Sequence, residues 1–163
     1  MDLTNTITIG KSAFENAKGL QAIKSDSVIE IGKAAFRGSD IISVDFSKIS
    51  DFSNYAFENC SELVSVSFES LETVSQYSFK DCVSLKNVKM PVVKNIKANA
   101  FENSGIIGFT SDTLEFLGNL AFRNCNLLKY VSLPNVITIE SYSFNGCTNL
   151  RSVYLPKLKE LDS

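Results

Sequence analysis

The four cysteines are the side chains of this sequence that could most readily form a covalent bond or hold a metal ion. Cys60 and Cys82 are 22 residues apart, and so are Cys125 and Cys147. Thiolates bind soft metal ions, and two thiols on backbones about 5 Å apart can form a disulfide. The spacing alone does not show whether the cysteines bind a metal ion or form disulfides. Both possibilities depend on the elements that carry the cysteines.

Catalytic chemistry has little support in the rest of the sequence. The chain has no histidine, which excludes Ser-His and Cys-His nucleophile pairs and histidine-containing zinc sites. It also has no glycine-rich phosphate loop. Paired carboxylates are the remaining option, but six glutamates are expected to be exposed and not to line up with one another: Glu58, Glu62, Glu69, Glu72, Glu102 and Glu115. We therefore predict a protein that is not an enzyme and that binds no cofactor or metal ion.

Composition and charge indicate a folded domain and argue against two classes of ligand. Apolar residues make up 44% of the 163 residues, and the formal net charge is −2. Nucleic-acid-binding domains usually carry a basic excess, so we expect no nucleic-acid partner. The sequence has no apolar run of the roughly 18–20 residues that a membrane helix needs, and no signal peptide at its start. Membrane insertion is therefore not expected.

Seven phenylalanines recur at intervals of 21 or 22 residues, which indicates an internal repeat. Each follows an alanine or a serine and precedes, by two residues, an Asn, Asp or Gly, residue types that tolerate a left-handed backbone. We therefore predict a sharp corner in every copy. The phenylalanines are Phe14, Phe36, Phe57, Phe79, Phe101, Phe122 and Phe144, and the corner residues are Asn16, Gly38, Asn59, Asp81, Asn103, Asn124 and Gly146.

An apolar pattern of the form L-x-x-V-x-L follows the corner and predicts a short strand with one buried face. The pattern is clearest in the copies that start at Leu63, Leu85, Leu128 and Leu150. A unit of about 22 residues cannot cover its own apolar face, so successive copies must stack on one another. Their strands then lie side by side in parallel, and the phenylalanines form one internal spine.

The four cysteines all occupy the position that directly follows the corner residue. The other occupants of this position are Ala17, Ser39 and Ser104. A column of small residues is typical of a buried position, and side chains in one column point the same way. We therefore favour four free, buried thiols, with disulfides between Cys60 and Cys82 and between Cys125 and Cys147 as the alternative.

The combination A-F-x-x-C-x-x-L-x-x-V-x-L-P resembles the BspA-like, or treponemal-type, leucine-rich repeat family over nearly the whole chain, from Ile9 to Leu161. The resemblance implies a right-handed repeat solenoid, mainly β, with a parallel sheet on its concave side and short turns or helical corners. About seven repeats of 21–22 residues would form one domain, residues 1–163. No polar cap follows the last copy, so we expect the chain to be part of a longer array.

The outward positions of the predicted strands form the candidate binding surface, which is small, polar and mixed in charge over most of its length. Tyr130 and Tyr154 stand diagonally on neighbouring strands, about 8 Å apart. Tyrosine is enriched in binding hot spots, but it is also typical of an exposed β position. The predicted partner-binding residues are Tyr130, Tyr154, Lys89, Asp112, Glu69 and Asp45.

The function that the resemblance implies is adhesion, because known members of the family are often cell-surface or secreted proteins that bind host proteins or other cells. The leading hypothesis is a non-catalytic, protein-binding solenoid, on the cell surface or secreted, whose partner is a host or extracellular-matrix protein. The alternative is a cytoplasmic scaffold or spacer, which the free cysteines and the lack of a signal peptide favour. End-to-end self-association through uncapped ends is a further expected interaction.

Overall fold

The computed structural model describes residues 3–161 and shows a parallel β-solenoid. Most turns of the solenoid contribute one strand of three or four residues and one strand of two residues, joined by tight turns. The described residues contain no helix, so the corners expected to be turns or helices are turns. The repeat fold predicted from the sequence is confirmed.

The longer strands carry the alternating apolar pattern, and their inward residues form the core. In the strand Ser65–Phe68, for example, Val66 and Phe68 are buried while both serines are half-buried. The longer strands are β2 (Ala22–Ser25), β4 (Ser43–Phe46), β5 (Ser65–Phe68), β7 (Asn87–Lys89), β9 (Gly108–Thr110), β11 (Tyr130–Ser132) and β13 (Ser152–Tyr154).

Two-residue strands form a second side of the solenoid, where the sequence has the last apolar positions of each repeat. All strand pairs are parallel, and each residue pairs with the one 21 or 22 positions along the chain, as Thr138 does with Glu160. The short strands are β1 (Thr8–Ile9), β3 (Glu30–Ile31), β6 (Thr73–Val74), β8 (Asn95–Ile96), β10 (Phe116–Leu117), β12 (Thr138–Ile139) and β14 (Glu160–Leu161).

The phenylalanine spine runs through the core as predicted. Successive rings from Phe14 to Phe144 are stacked with centroids 5.1–5.7 Å apart and planes within 14° of parallel. The five interior rings are fully buried. Offset stacking of aromatic rings adds to the free energy of burial, so this column holds each repeat to the next.

The sheet of longer strands is divided, which the repeat pattern did not predict. One sheet has the order β2-β4-β5-β7 and the other the order β9-β11-β13, with no pairing between β7 and β9. The chain enters β9 through the shortened corner at Gly105, where an added Cβ would lie 2.2 Å from the carbonyl oxygen of Val83. The other shortened copy, before β4, keeps its pairing with β2. Repeat length alone therefore does not account for the division.

Two residues in nearly every repeat have a left-handed backbone. The first is the Asn, Asp or Gly of the corner, as predicted, with φ between 57° and 75°. The second lies two residues before the phenylalanine and includes residue types that rarely adopt this conformation, such as Ala34, Tyr55 and Leu120 at φ of 55°, 65° and 57°. A left-handed residue with a Cβ costs about 1–2 kcal/mol, so this column stores backbone strain in the folded state.

We expect glycine to be tolerated at position 34 and not at position 35. Both alanines are buried, but only Ala34 has a positive φ. Ala35→Gly should lower the free energy of unfolding by about 1–2 kcal/mol, through a lost methyl group and added chain entropy. Ala34→Gly also loses a methyl group and adds chain entropy, but it relieves the strain of a left-handed residue with a Cβ, which offsets these losses. Urea unfolding should therefore find Ala34→Gly more stable than Ala35→Gly by at least about 1 kcal/mol, and equal losses would contradict the strain.

Candidate functional site

The concave face is formed by the outward side chains of β2, β4, β5, β7, β9, β11 and β13, together with the first two residues that follow each of these strands. The six residues predicted to bind a partner all belong to it. Asp45, Lys89, Tyr130 and Tyr154 lie within strands, whereas Glu69 and Asp112 follow β5 and β9. The structure therefore brings them to one side of the molecule, and their role in binding stays a prediction.

Charged side chains in the first half of the concave face neutralise one another. Lys24 Nζ lies 3.1 Å from Asp45 Oδ2, and Lys89 Nζ lies 2.6 Å from Glu69 Oε1. The hydrogen bond from Lys24 to Asp45 raises the pKa of Lys24, and the one from Lys89 to Glu69 raises the pKa of Lys89. Exposed ion pairs of this kind contribute little to stability. They do neutralise charges on the concave face that would otherwise be available to a bound partner.

An open groove of about 560 Å³ crosses the concave face where the sheet is divided. Asp45, Lys89 and Tyr130 line it, together with Lys86 and the serine and threonine hydroxyls of the neighbouring strands. The groove is shallow and polar, which suits contact with another macromolecule better than enclosure of a small substrate.

Tyr130 lies across the neighbouring strand β9. A Cβ added to Gly108 would lie 2.1 Å from Tyr130 Cζ, so the phenol ring occupies the space that a side chain would take there. Tyr154 pairs in register with Ser132, which confirms its diagonal relation to Tyr130. The two rings are 49% and 57% exposed. Because Tyr130 leans away from β13, the tyrosines offer two separate contact areas and not one stacked pair.

A basic rim beside this face was not identified from the sequence. We define the basic rim as Lys86, Lys129 and Arg151, the residues directly before β7, β11 and β13; all three are exposed. The signal was present, since a basic residue precedes the outward strand position in three of the last four copies. Strict alternation predicts only every second position of a strand as outward, so it does not predict this rim.

Three of the four cysteines in the column are buried, and all four thiols are free in the structure. Each Sγ donates a hydrogen bond to the carbonyl oxygen of the spine phenylalanine in the preceding repeat, at 2.9–3.1 Å. Burial raises the pKa of Cys60 to about 11 and raises that of Cys82 well above its usual value. In the last pair, the proximity of the two thiols is the main cause of opposite shifts: the pKa of Cys125 is raised, and that of Cys147, which is only half-buried, is lowered.

We expect the native protein to show one reactive thiol and three protected ones. At pH 8, Cys147 should react with Ellman's reagent first, because the thiolate is the reactive species and this side chain is the accessible one. The other three should react only as the protein unfolds, and Cys147→Ser should remove the fast reaction. Unfolding without a reductant should release four thiols in the wild type. A count below four would establish a disulfide instead.

One expectation about the acidic residues is wrong. Glu102 is only 4% exposed, and it shares a column with Glu58, one residue after each spine phenylalanine. Its carboxylate lies 3.0 Å from Lys80 Nζ and 3.3 Å from a terminal nitrogen of Arg123. The column is an ion-pair ladder and not a pair of carboxylates in a cleft. Within residues 3–161, no group of three His, Cys, Asp or Glu side chains could hold a metal ion, and no helix is long and apolar enough to cross a membrane.

The chain matches one protein family and is similar in fold to several solved structures. The family described as "BspA type Leucine rich repeat region" matches this chain in six copies, over residues 2–108 and 94–163. No curated protein matches the sequence significantly.

Three crystal structures illustrate the similarity. A leucine-rich repeat protein of T. pallidum is 23% identical with a TM-score of 0.78, over 86% of this chain and 72% of that one. One from Bacteroides ovatus is 25% identical with a TM-score of 0.61, over 100% of this chain and 49% of that one. A leucine-rich cell surface protein of Faecalibacterium prausnitzii is 20% identical with a TM-score of 0.57, over 96% of this chain and 64% of that one. This chain therefore spans only about half to three quarters of the length of these relatives.

Proposed function

This chain belongs to the BspA-type leucine-rich repeat family, and we propose that it is a non-catalytic, protein-binding solenoid that presents its concave face to a host or extracellular-matrix protein. The family's repeat fold is that of a protein-interaction module. The observation that carries the proposal is the concave face itself, an open polar surface with exposed tyrosines and a shallow groove. Affinity would be distributed over many polar contacts, with Tyr130 and Tyr154 as anchors.

Two further observations support the non-catalytic and extracellular parts of the proposal. The buried carboxylate of Glu102 is neutralised by Lys80 and Arg123 and faces no cleft among the described residues, so it is poorly placed for acid–base catalysis. The F. prausnitzii relative is described as a cell surface protein, which supports the same location for this chain.

Site-specific photo-crosslinking on intact cells tests the proposal. Tyr154 on the concave face and Tyr142, at the corner that follows β12, are 57% and 59% exposed and form a matched pair for replacement by p-benzoylphenylalanine. We expect a crosslinked protein partner from position 154 and none from position 142. Equal crosslinking from both positions, or none from position 154, would overturn the choice of face.

The location is tested by mild protease treatment of intact cells that produce the protein. Loss of the repeats from unbroken cells is the expected result. Protection until lysis would contradict the extracellular location and favour an intracellular scaffold, whose partner would then be sought by pull-down from the same cells.

A further inference from the structure

We infer that the second half of the concave face, with the basic rim beside it, docks an acidic segment of a protein partner. The inference rests on the proposed function, because it assumes that the concave face binds protein, and it specifies the chemistry of the bound segment. The residues that carry it are Lys86, Lys129, Arg151, Tyr130 and Tyr154.

Backbone hydrogen bonds hold two of the three rim residues on adjacent turns of the solenoid. The N–H of Arg151 donates a hydrogen bond to the carbonyl oxygen of Lys129 at 2.9 Å, and the N–H of Lys129 donates to that of Ile107 at 2.7 Å. Lys129 and Arg151 therefore stand on adjacent turns, about 4.8 Å apart at the backbone. Lys86 occupies the same position one turn before Ile107 and lines the groove with Tyr130.

The three rim cations have no internal counter-ion. Within residues 3–161, five other lysines and arginines form ion pairs at 3.3 Å or closer with carboxylates on the concave face or in the column that follows the phenylalanines. Lys24, Lys89 and Arg123 are among them. Lys86, Lys129 and Arg151 form no ion pair with any residue in that range and are exposed. Their charges are therefore available to a ligand.

No carboxylate lies on the strands that follow Lys129 and Arg151 or on the neighbouring strand β9. The outward residues of the described strands β9, β11 and β13 are Gly108, Thr110, Tyr130, Ser132, Ser152 and Tyr154. The acidic residues of the concave face lie in its first half or at its edge, as Asp45, Glu69 and Asp112 do. A protein with a net charge of −2 thus carries three unpaired cations beside one part of this face.

The neighbouring side chains favour a polypeptide as the source of the negative charge. Hydroxyls of Thr110, Ser132 and Ser152 offer donors and acceptors to peptide groups, and the two tyrosines offer rigid apolar contact with a polar tip. Three cations are few for a nucleic acid, which proteins bind with a strong basic excess along the phosphate backbone. An acidic polypeptide needs only a few charge pairs in addition to such contacts.

Fluorescence anisotropy with a labelled peptide of eight glutamates and flanking glycines tests the inference. We expect binding that weakens as salt is raised, and no binding of the same peptide with glutamines. Lys129→Glu with Arg151→Glu should weaken binding at least about tenfold. The matched control is Lys48→Glu with Lys97→Glu, which changes the net charge equally at two exposed lysines outside the rim and should leave the affinity within about twofold.

Binding of competing polyanions and crosslinking of the partner complete the test. Tighter binding of a heparin oligosaccharide or of oligo-dT, lost in the same rim variant, would overturn the choice of an acidic polypeptide. Equal weakening by the rim and control variants would show that net charge and not the rim binds the peptide, and would also overturn it. A partner that crosslinks from position 154 of the rim variant as strongly as from the wild type would refute the rim while leaving the proposed function intact. Peptide binding that depends on the rim, without crosslinks on cells, would refute the proposed function alone.

Discussion

Phe57→Ala is expected to lower the free energy of unfolding by about 3–5 kcal/mol. The Phe57 ring is fully buried and stacks on Phe36 at 5.1 Å and on Phe79 at 5.3 Å between centroids. Phe52 and Phe68 make T-shaped contacts with the same ring, at centroid distances of 5.9 and 6.1 Å. Four aromatic neighbours fixed by the repeat cannot all move into the space that the ring leaves, so a cavity remains and adds to the lost burial.

Phe144→Ala is the matched control, because it removes the same ring at the end of the spine. Phe144 is half-buried and has one stacked neighbour, Phe122, at 5.7 Å. Its loss should cost about 1–2 kcal/mol, in proportion to the smaller area that is buried. Urea unfolding followed by circular dichroism measures both variants. If the two variants lost similar free energies of unfolding, the contribution of a phenylalanine would not depend on stacked neighbours on both sides, and the prediction would be wrong.

The repeat made the core of this fold predictable. A residue type that recurs every 21 or 22 positions occupies the same place in every turn, so the stacking of Phe14 on Phe36 follows from the sequence alone. The corner residues were predictable for a local reason, since Asn, Asp and Gly tolerate a left-handed backbone. The second left-handed column was not, because Ala34, Tyr55 and Leu120 have no preference for that conformation and adopt it only under the constraint of the stack.

The division of the sheet and the details of the site depend on contacts that spacing does not encode. A missing corner residue occurs in two copies, but only the one at Gly105 is followed by a loss of strand pairing. Outward positions such as Asp45 and Lys89 were predictable from alternation, whereas their pairing with Lys24 and Glu69 depends on where long side chains meet between turns. Alternation does not predict the rim, because Lys129 and Tyr130 are both exposed before the buried Val131 at the start of β11.

The column that follows the phenylalanines shows how charge can order the repeats. Its signs alternate along the chain from one repeat to the next: Glu15, Arg37, Glu58, Lys80, Glu102 and Arg123. Arg37 pairs with Glu15, and Glu102 pairs with the cations on both sides. Burial raises the pKa of Glu58, while Arg37 and Lys80 act in the opposite direction. A repeat placed out of order would bring like charges together, so the ladder favours the native sequence of stacking over a shifted one.

Glu102→Lys is therefore expected to cost about 3–5 kcal/mol of the free energy of unfolding. Glu102 is the most buried charge of the ladder, at 4% exposure, and its Oε2 also accepts a hydrogen bond of 2.8 Å from Asn99 Nδ2. The substitution leaves three cations in line, with no carboxylate between Lys80 and Arg123. A charge buried without its partner cannot regain its hydration, which is the source of the large loss.

Two further variants separate charge from packing in this prediction. Glu102→Gln keeps the shape and the acceptor for Asn99, and should lose about 1–2 kcal/mol. Glu62→Lys makes the same charge reversal at an exposed glutamate that has no ion-pair partner among residues 3–161, and should change stability by less than about 0.5 kcal/mol. Thermal and urea unfolding of the three variants should give the order Glu62→Lys, Glu102→Gln, Glu102→Lys in increasing loss. Equal losses for Glu102→Gln and Glu102→Lys would contradict the prediction, because reversing the charge would then cost no more than removing it.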